Sequence, residues 1–212
     1  KTLFPYTTLF RSLLAQGVRK GDVCIVPSIT FLATANAVRH VGAEVAFADV
    51  DPHSGLMTPE TLSDALSRAD GRRVGAVLPV HLRGEVCDVQ SLQRLAIGAG
   101  AVLIEDAAHA LGSRGPGGVV GANANAPLTC FSFHPVKTIC TGEGGMVTTS
   151  DADLARRLRE FRSHGMSYPA GAEPWVYEMH APGFNYRLPD ILCALGRSQL
   201  AKLPAFAKRR KD

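Results

Sequence analysis

Short apolar strands alternating with amphipathic helices predict an α/β fold, a mostly parallel sheet with helices on both faces. Three observations carry that expectation. Runs at 23–26, 44–48, 74–80, 101–104 and 128–133 are nearly continuous in apolar and β-branched residues, as strands buried on both faces are. Helical patterns at 31–41, 58–68 and 88–99 separate them, and strand–helix–strand alternation leads to parallel pairing. The 212 residues, 46% hydrophobic, are enough for one large domain with a real core.

The first segment reads differently from the rest. Thr2 to Ser12 matches, residue for residue, the in-frame translation of a common sequencing adapter. It has neither the long apolar centre nor the small-residue cleavage site of a secretory signal. Residues 1–12 are therefore expected to be non-native and to stand outside the fold. The chain stops at Lys208-Arg209-Arg210-Lys211-Asp212, inside a helical pattern, so truncation at both ends is expected, with 13–212 a partial domain.

From Val23 onward each element carries its own signals. Val23-Cys24-Ile25-Val26 reads as the first strand, followed by a helix from about residue 31, and Glu44 to Ala48 as the next strand. Thr58 caps a helix with Pro59 at its first position and Glu60 in its first turn. Val74 to Val80 and Ala101 to Ile104 are strands around the helix at 88–99, and Leu128 to Phe133 is another. Gly144 to Thr149 follows by a connection too short for a parallel crossover, so it is expected antiparallel. Ser150-Asp151-Ala152-Asp153 resembles a capping box, and opens a helix with Leu154, Leu158 and Phe161 on one stripe. The last helix, about Pro189 to Lys202, is expected to bury Ile191, Leu192, Leu195 and Leu200.

Composition excludes several function classes. Net charge is +4, and Lys1 and Arg11 supply two of those charges, leaving a balance too mild to argue for nucleic acid. Five cysteines, scattered and odd in number, suit reduced core thiols in a cytoplasmic protein rather than a disulfide framework. No uninterrupted apolar stretch is long enough to span a bilayer, so no membrane partner is expected. There is no HExxH and no clustered Cys/His spacing, which excludes a metal site. Gly115-Pro116-Gly117-Gly118 lacks both the dinucleotide fingerprint and the Walker lysine, and reads as a surface turn.

In open α/β sheets ligands collect outside the carboxyl ends of the strands. Asp106 and His109 follow one such end, Ser132, His134 and Lys137 another, and Phe31 a third. A lysine after one strand and a carboxylate at the tip of an earlier one is the pairing pyridoxal 5'-phosphate requires. The amine forms a Schiff base with the cofactor aldehyde, and the acid keeps the pyridine nitrogen protonated so that the ring accepts electrons. Lys137 and Asp106 are the catalytic candidates. Spacing alone leaves Phe31 open between a ring-stacking aromatic and a core residue.

At these residues the chain resembles the DegT-type nucleotide-sugar aminotransferases. The blocks run in order: residues 26–37, Pro79-Val80-His81-Leu82-Arg83-Gly84, Glu105-Asp106-Ala107-Ala108-His109-Ala110, Ser132 to Lys137 with Gly142-Glu143-Gly144-Gly145, Arg162-Ser163-His164-Gly165, and residues 183–191. The resemblance implies the large domain of the fold type I, aspartate-aminotransferase-like transferases, running into the start of a missing small C-terminal domain. It implies that Lys137 and Asp106 hold the cofactor, that His109 lies near its phenolic oxygen, that Phe31 stacks on the ring and that Ser132 binds phosphate. Asn185 would reach the neighbouring subunit's site, implying a homodimer with shared active sites.

The expected reaction moves an amino group from glutamate to a nucleotide-linked 4-keto-6-deoxy sugar. Ser-Phe-His-Pro-Val-Lys (132–137), Glu-Asp-Ala-Ala-His-Ala-Leu-Gly (105–112) and Pro-Trp-Val-Tyr-Glu-Met (174–179) look most like the pseudaminic-acid branch, whose substrate is a UDP-linked N-acetyl sugar. Other UDP- or dTDP-keto sugars, and non-transaminating relatives that dehydrate or regulate, are the alternatives. Arg83 and Thr138-Ile139-Cys140 depart from the usual pattern. The family's Gly-Thr-Ser-Ala-Leu-type phosphate segment before Leu13 is missing, so weak cofactor affinity is expected of this chain.

Overall fold

A computed structural model describes residues 6–69, 71–122 and 125–211. In chain order the elements are α1 (Tyr6–Ala15), β1 (Val23–Pro27), α2 (Leu32–His40), β2 (Glu44–Ala48), α3 (Pro59–Ser67), β3 (Val74–Val77), a 3₁₀ turn (Leu82–Gly84) and α4 (Val89–Gly98). There follow β4 (Val102–Asp106), the hairpin of β5 (Arg114–Gly115) and β6 (Gly118–Val119), β7 (Leu128–Ser132), β8 (Gly145–Thr148), α5 (Ala152–Arg162), β9 (Met166–Ser167), β10 (Glu178–Met179), α6 (Asp190–Ala201) and α7 (Leu203–Lys211).

Six strands form one sheet in the order β2-β1-β3-β4-β7-β8. Every neighbouring pair is parallel except β7 with β8, which is antiparallel as the short connection between them demands. The strands inside the sheet are buried on both faces, whereas the edge strands β2 and β8 are partly exposed. Alternation of side chains divides the core in two. Cys24, Val26, Ile104, Leu128 and Cys130 meet α1, α2 and α5, while Ile25, Val77 and Leu103 meet Leu62 of α3 and Leu92 and Ala96 of α4.

The helices start where the capping residues stand. Thr58 accepts from Thr61 N–H, and Thr61 Oγ1 accepts from Thr58 N–H, so both ends of the first turn of α3 are satisfied. Asp151 caps α5 by itself, accepting from Asp153 N–H and Leu154 N–H. Gly115 and Gly118 pair in the β5–β6 hairpin, so the glycine-rich stretch is a turn, as read from sequence.

Two expectations need correction. Residues 6–12 do not stand outside the fold. They form most of α1, where Leu9 and Phe10, together with Leu13 one turn on, enter the same core as β1 and β7. Residues at i and i+4 share a helix face, so Leu9 and Leu13 present an apolar ridge to the sheet, and the helix packs on it. Residues 1–5 lie outside the described residues. The second correction concerns α6. None of its residues is buried: Ile191, Leu195 and Leu200 are exposed and Leu192 is half-buried, because the described residues cover the apolar stripe only in part.

Cys24, Cys87 and Cys130 are buried thiols, and desolvation pushes each up to about 12, so they are inert. Cys140 is partly covered and Cys193 exposed. Among the described residues no helix is long and apolar enough to cross a membrane.

Candidate active site

The carboxyl ends of β1, β3, β4 and β7 open into one cavity of about 380 Å³, within the range of about 300–1,000 Å³ usual for small-molecule sites. Its wall brings together Phe31, Asp106, His109, Ser132 and Lys137. Five of the six residues singled out in the sequence thus share one pocket. The sixth, Asn185, does not line it. Asn185 is exposed and pairs with Ser163 in an isolated bridge.

Asp106 ends β4 and is 6% exposed. Its Oδ2 accepts from Thr34 Oγ1 at 2.8 Å, and its Oδ1 accepts from Ala108 N–H at 3.1 Å. Thr34 of α2 is in turn linked to Thr30 in the bend before that helix at 2.8 Å, so a two-threonine chain aims the carboxylate. The main chain is held as firmly: Asp106 N–H donates to Pro79 O at 2.9 Å and Asp106 O accepts from His81 N–H at 3.0 Å. A carboxylate fixed in this way keeps free lone pairs directed at the cavity.

Lys137 stands in the loop after β7, where its N–H donates to His134 O at 2.9 Å. Burial lowers its pKa from the ordinary 10.5, while Asp106 pulls the other way. A lysine so placed reaches the neutral, nucleophilic form more easily than a solvated one. The loop is closed behind it by Phe133 N–H to Gly144 O and Thr141 N–H to Phe133 O. Glycine is needed at the return into β8, because a Cβ on Gly145 would meet Phe131 O at 2.6 Å. Ser132 is buried, and its Oγ accepts from His134 N–H at 3.3 Å, keeping the hydroxyl proton available to an anion.

His109 lies at the rim. Its Nδ1 accepts from Arg83 N–H at 3.3 Å, which leaves the proton on Nε2. Arg83 makes that bond from the left-handed region, at φ 57°, inside the turn after β3. Burial lowers the pKa of His109, the charge of Lys137 lowers it further, and Asp106 raises it. Phe31 is 69% exposed in the pocket mouth, which resolves the choice left by spacing: it is not a core residue. An exposed aromatic face, a fixed carboxylate and a half-buried amine around one cavity fit a flat, anionic heterocyclic aldehyde such as pyridoxal phosphate.

Sequence reasoning gave no role to Thr34, Thr30 or Thr8. Thr34 lies within the block at 26–37, and its signal is a hydroxyl on the first turn of the helix that follows a strand end. Thr8 was set aside with residues 1–12, yet with Leu9 it forms part of the cavity wall. Among the described residues no cluster of three or more His, Cys, Asp or Glu is placed to hold a metal ion.

Residues 7–212 match the model of the DegT/DnrJ/EryC1/StrS aminotransferase family, and the chain belongs to that family. It is 38% identical over 209 residues to the spore coat polysaccharide biosynthesis protein SpsC of Bacillus subtilis, covering 96% of this chain and 52% of that protein. Among solved structures, it is similar to PseC of Helicobacter pylori, an aminotransferase involved in pseudaminic acid biosynthesis (TM-score 0.82, 31% identity, 94% of this chain and 52% of that one). It is also similar to the PLP-form of the putative sugar aminotransferase Spr1654 of Streptococcus pneumoniae (TM-score 0.85, 28% identity, 98% and 56%). The chain thus spans about half the length of the relatives it matches. The family's aminotransferases use pyridoxal phosphate, and the fold described above is theirs.

Proposed function

We propose that this member of the family takes part in transferring an amino group from glutamate to a nucleotide-linked 4-keto-6-deoxy sugar. The observation that carries the reading is the meeting of Lys137, amine pKa lowered by burial, with the hydrogen-bonded Asp106 carboxylate in one cavity. When bound, pyridoxal phosphate supplies the electron sink that lets an amino group leave one carbon and enter another. Lys137 would be the residue that holds the cofactor through its aldehyde, and its half-buried amine would serve to move a proton at the reacting carbon. Asp106 holds the proton on the pyridine nitrogen, an electrostatic role strengthened by the low exposure of the site. Ser132 Oγ would donate to the phosphate, Phe31 would cover one ring face, and His109 Nε2–H would face the phenolic oxygen.

For the acceptor we favour the UDP-linked N-acetyl sugar of pseudaminic acid synthesis, on the three sequence phrases and the similarity to PseC. The similarity to SpsC supports a different keto sugar of a surface polysaccharide as the second reading. A lysine at position 137 weighs against dehydration, since relatives that dehydrate replace it. Asn185, exposed and outside its own pocket, suits a contact with the cavity of a second copy, and we propose a homodimer with shared sites. Three buried reduced thiols favour a cytoplasmic setting.

The test is spectroscopic and kinetic. Full-length protein mixed with pyridoxal phosphate should turn yellow, lose the colour on addition of glutamate, and then aminate one member of a panel of UDP- and dTDP-keto sugars. Colour that glutamate does not discharge would refute transamination, and the sugar consumed decides between the two acceptors.

A further inference from the structure

Glu105 and Asp106 are consecutive in β4 and so face opposite sides of the sheet. Asp106 faces the cavity; Glu105, 5% exposed, faces away from it and lines a separate hollow with Val86, Cys87 and Gly115. No step proposed above uses this second acid. A buried carboxylate with no reactive role is costly unless its bonds serve some purpose, since apolar residues of like volume often stabilise as well or better.

Its bonds run to the neighbouring strand β7 and to the segment that follows β3. Thr129, its register partner on β7, donates through Oγ1 to Glu105 Oε1 at 2.7 Å. On the other side, His81 Nε2 lies 2.8 Å from Glu105 Oε2. His81 is fully buried, and its Nδ1 accepts from Cys87 N–H at 3.3 Å, so the proton sits on Nε2 and is donated to the carboxylate. The same residue donates its own main-chain N–H to Asp106 O. One carboxylate thus joins the segment after β3, the end of β4 and the strand that runs on to Ser132 and Lys137.

We infer that Glu105 and His81 are positioning residues that act from behind the sheet, fixing the carboxylate of Asp106 relative to Lys137. The inference rests on the reading that Asp106 faces the pyridine nitrogen of the cofactor. Glu105→Leu cuts both ties and keeps a similar volume. Glu105→Gln keeps both, because its amide oxygen accepts from His81 and its NH₂ donates to the Thr129 oxygen.

The readout is the ¹⁵N resonance of pyridoxal phosphate labelled at the ring nitrogen, followed over pH in the cofactor-bound protein, together with cofactor affinity. In Glu105→Leu the ring nitrogen should lose its proton at lower pH than in the wild type. Affinity should fall on the order of tenfold, the cost of a weakened charge-assisted hydrogen bond. Glu105→Gln should behave as the wild type. A folded Glu105→Leu protein whose ring-nitrogen titration and affinity are unchanged overturns the inference, whatever its melting temperature. Should Glu105→Leu fail to fold, Thr129→Val removes one tie alone; it should move the titration in the same direction by less, and an unmoved titration there overturns the inference equally. Full-length wild-type protein that binds no cofactor refutes the underlying reading instead. In cofactor-free protein, a ¹⁵N-histidine spectrum placing the His81 proton on Nδ1 would overturn the clamp on its own.

Discussion

Helices α1 and α6, near opposite ends of the chain, reverse the usual relation between sequence and burial. α1 includes a segment that reads as non-native in the sequence and places a cation on its inner face, yet it is packed into the core. Arg11 is 9% exposed, with Nε donating to Thr7 O at 3.1 Å and its guanidinium carbon 5.7 Å from the Tyr186 ring centre. Among the described residues no carboxylate pairs with it, and burial lowers its pKa. α6 has the apolar stripe that amphipathic patterning asks for, and the described residues leave most of it exposed. Burial is decided by what stands opposite a face. A stripe on one helix states a demand; only a second surface meets it.

The cavity touches the first turn of α1 through Thr8 and Leu9 and touches α6 nowhere. The largest expected effect is therefore one that neither terminal helix can mimic. Lys137→Ala should lower amino transfer by at least about 10³-fold, toward the upper end of what a positioned proton-transfer group supplies, while the protein still folds. Asp106→Ala should cost about 10²–10³-fold with cofactor still bound, as loss of a preorganised charge does. Single-turnover absorbance with glutamate measures both. Turnover retained in Lys137→Ala would remove the lysine from the chemistry.

The second comparison sets the two helices against each other directly. Leu13 is fully buried, so Leu13→Ala should destabilise by about 2–5 kcal/mol. Leu195 is 41% exposed, so Leu195→Ala should stay within about 0.5 kcal/mol. Urea unfolding of both variants decides the matter. A large loss at Leu195 would mean that α6 is covered in solution, for example by a second copy of the chain.

These two helices also mark where sequence reading succeeds. The sheet, its antiparallel last strand and the meeting of five of the six candidate residues in one cavity were legible because each rests on local chemistry: continuous apolar runs, capping residues, and functional groups at strand ends. Thr34 was not legible as the residue that holds Asp106, since a threonine early in a helix has many ordinary uses. Nor was the Glu105–His81–Thr129 tie, whose members lie 24 residues apart on either side of Glu105 and meet only through strand order. The burial of α1 was missed because an origin inferred for its residues was allowed to stand in for their physics. Leu9 and Leu13 fall on one face whatever encoded them.

Arg11 gives that last point a measurable form. Replacing a buried cation that has no anionic partner by leucine should stabilise the fold by about 1 kcal/mol or more, and leave the cavity residues untouched. A gain in unfolding free energy for Arg11→Leu would identify the inner face of α1 as packed but ill matched. A loss would show that the stacking on Tyr186 and the bond to Thr7 O outweigh desolvation.

The smallest effect concerns pH and belongs to His109. In the folded state its pKa lies below the ordinary 6.5, because burial and the nearby Lys137 charge disfavour the imidazolium more than Asp106 favours it. Between that lowered value and 6.5 the unfolded chain binds more protons than the folded one, so stability declines as pH falls through 6.5 and levels off below the folded value. Above 6.5 the residue contributes no slope. His109→Gln removes the titration and keeps a side chain able to accept from Arg83 N–H. Melting curves of the two proteins from pH 7.5 to pH 5 should therefore converge as the wild type weakens, beyond the weakening both share from other groups. Curves that stay parallel across the window would mean that the histidine is solvated like any surface residue, and the pocket rim is then more open than the described geometry allows.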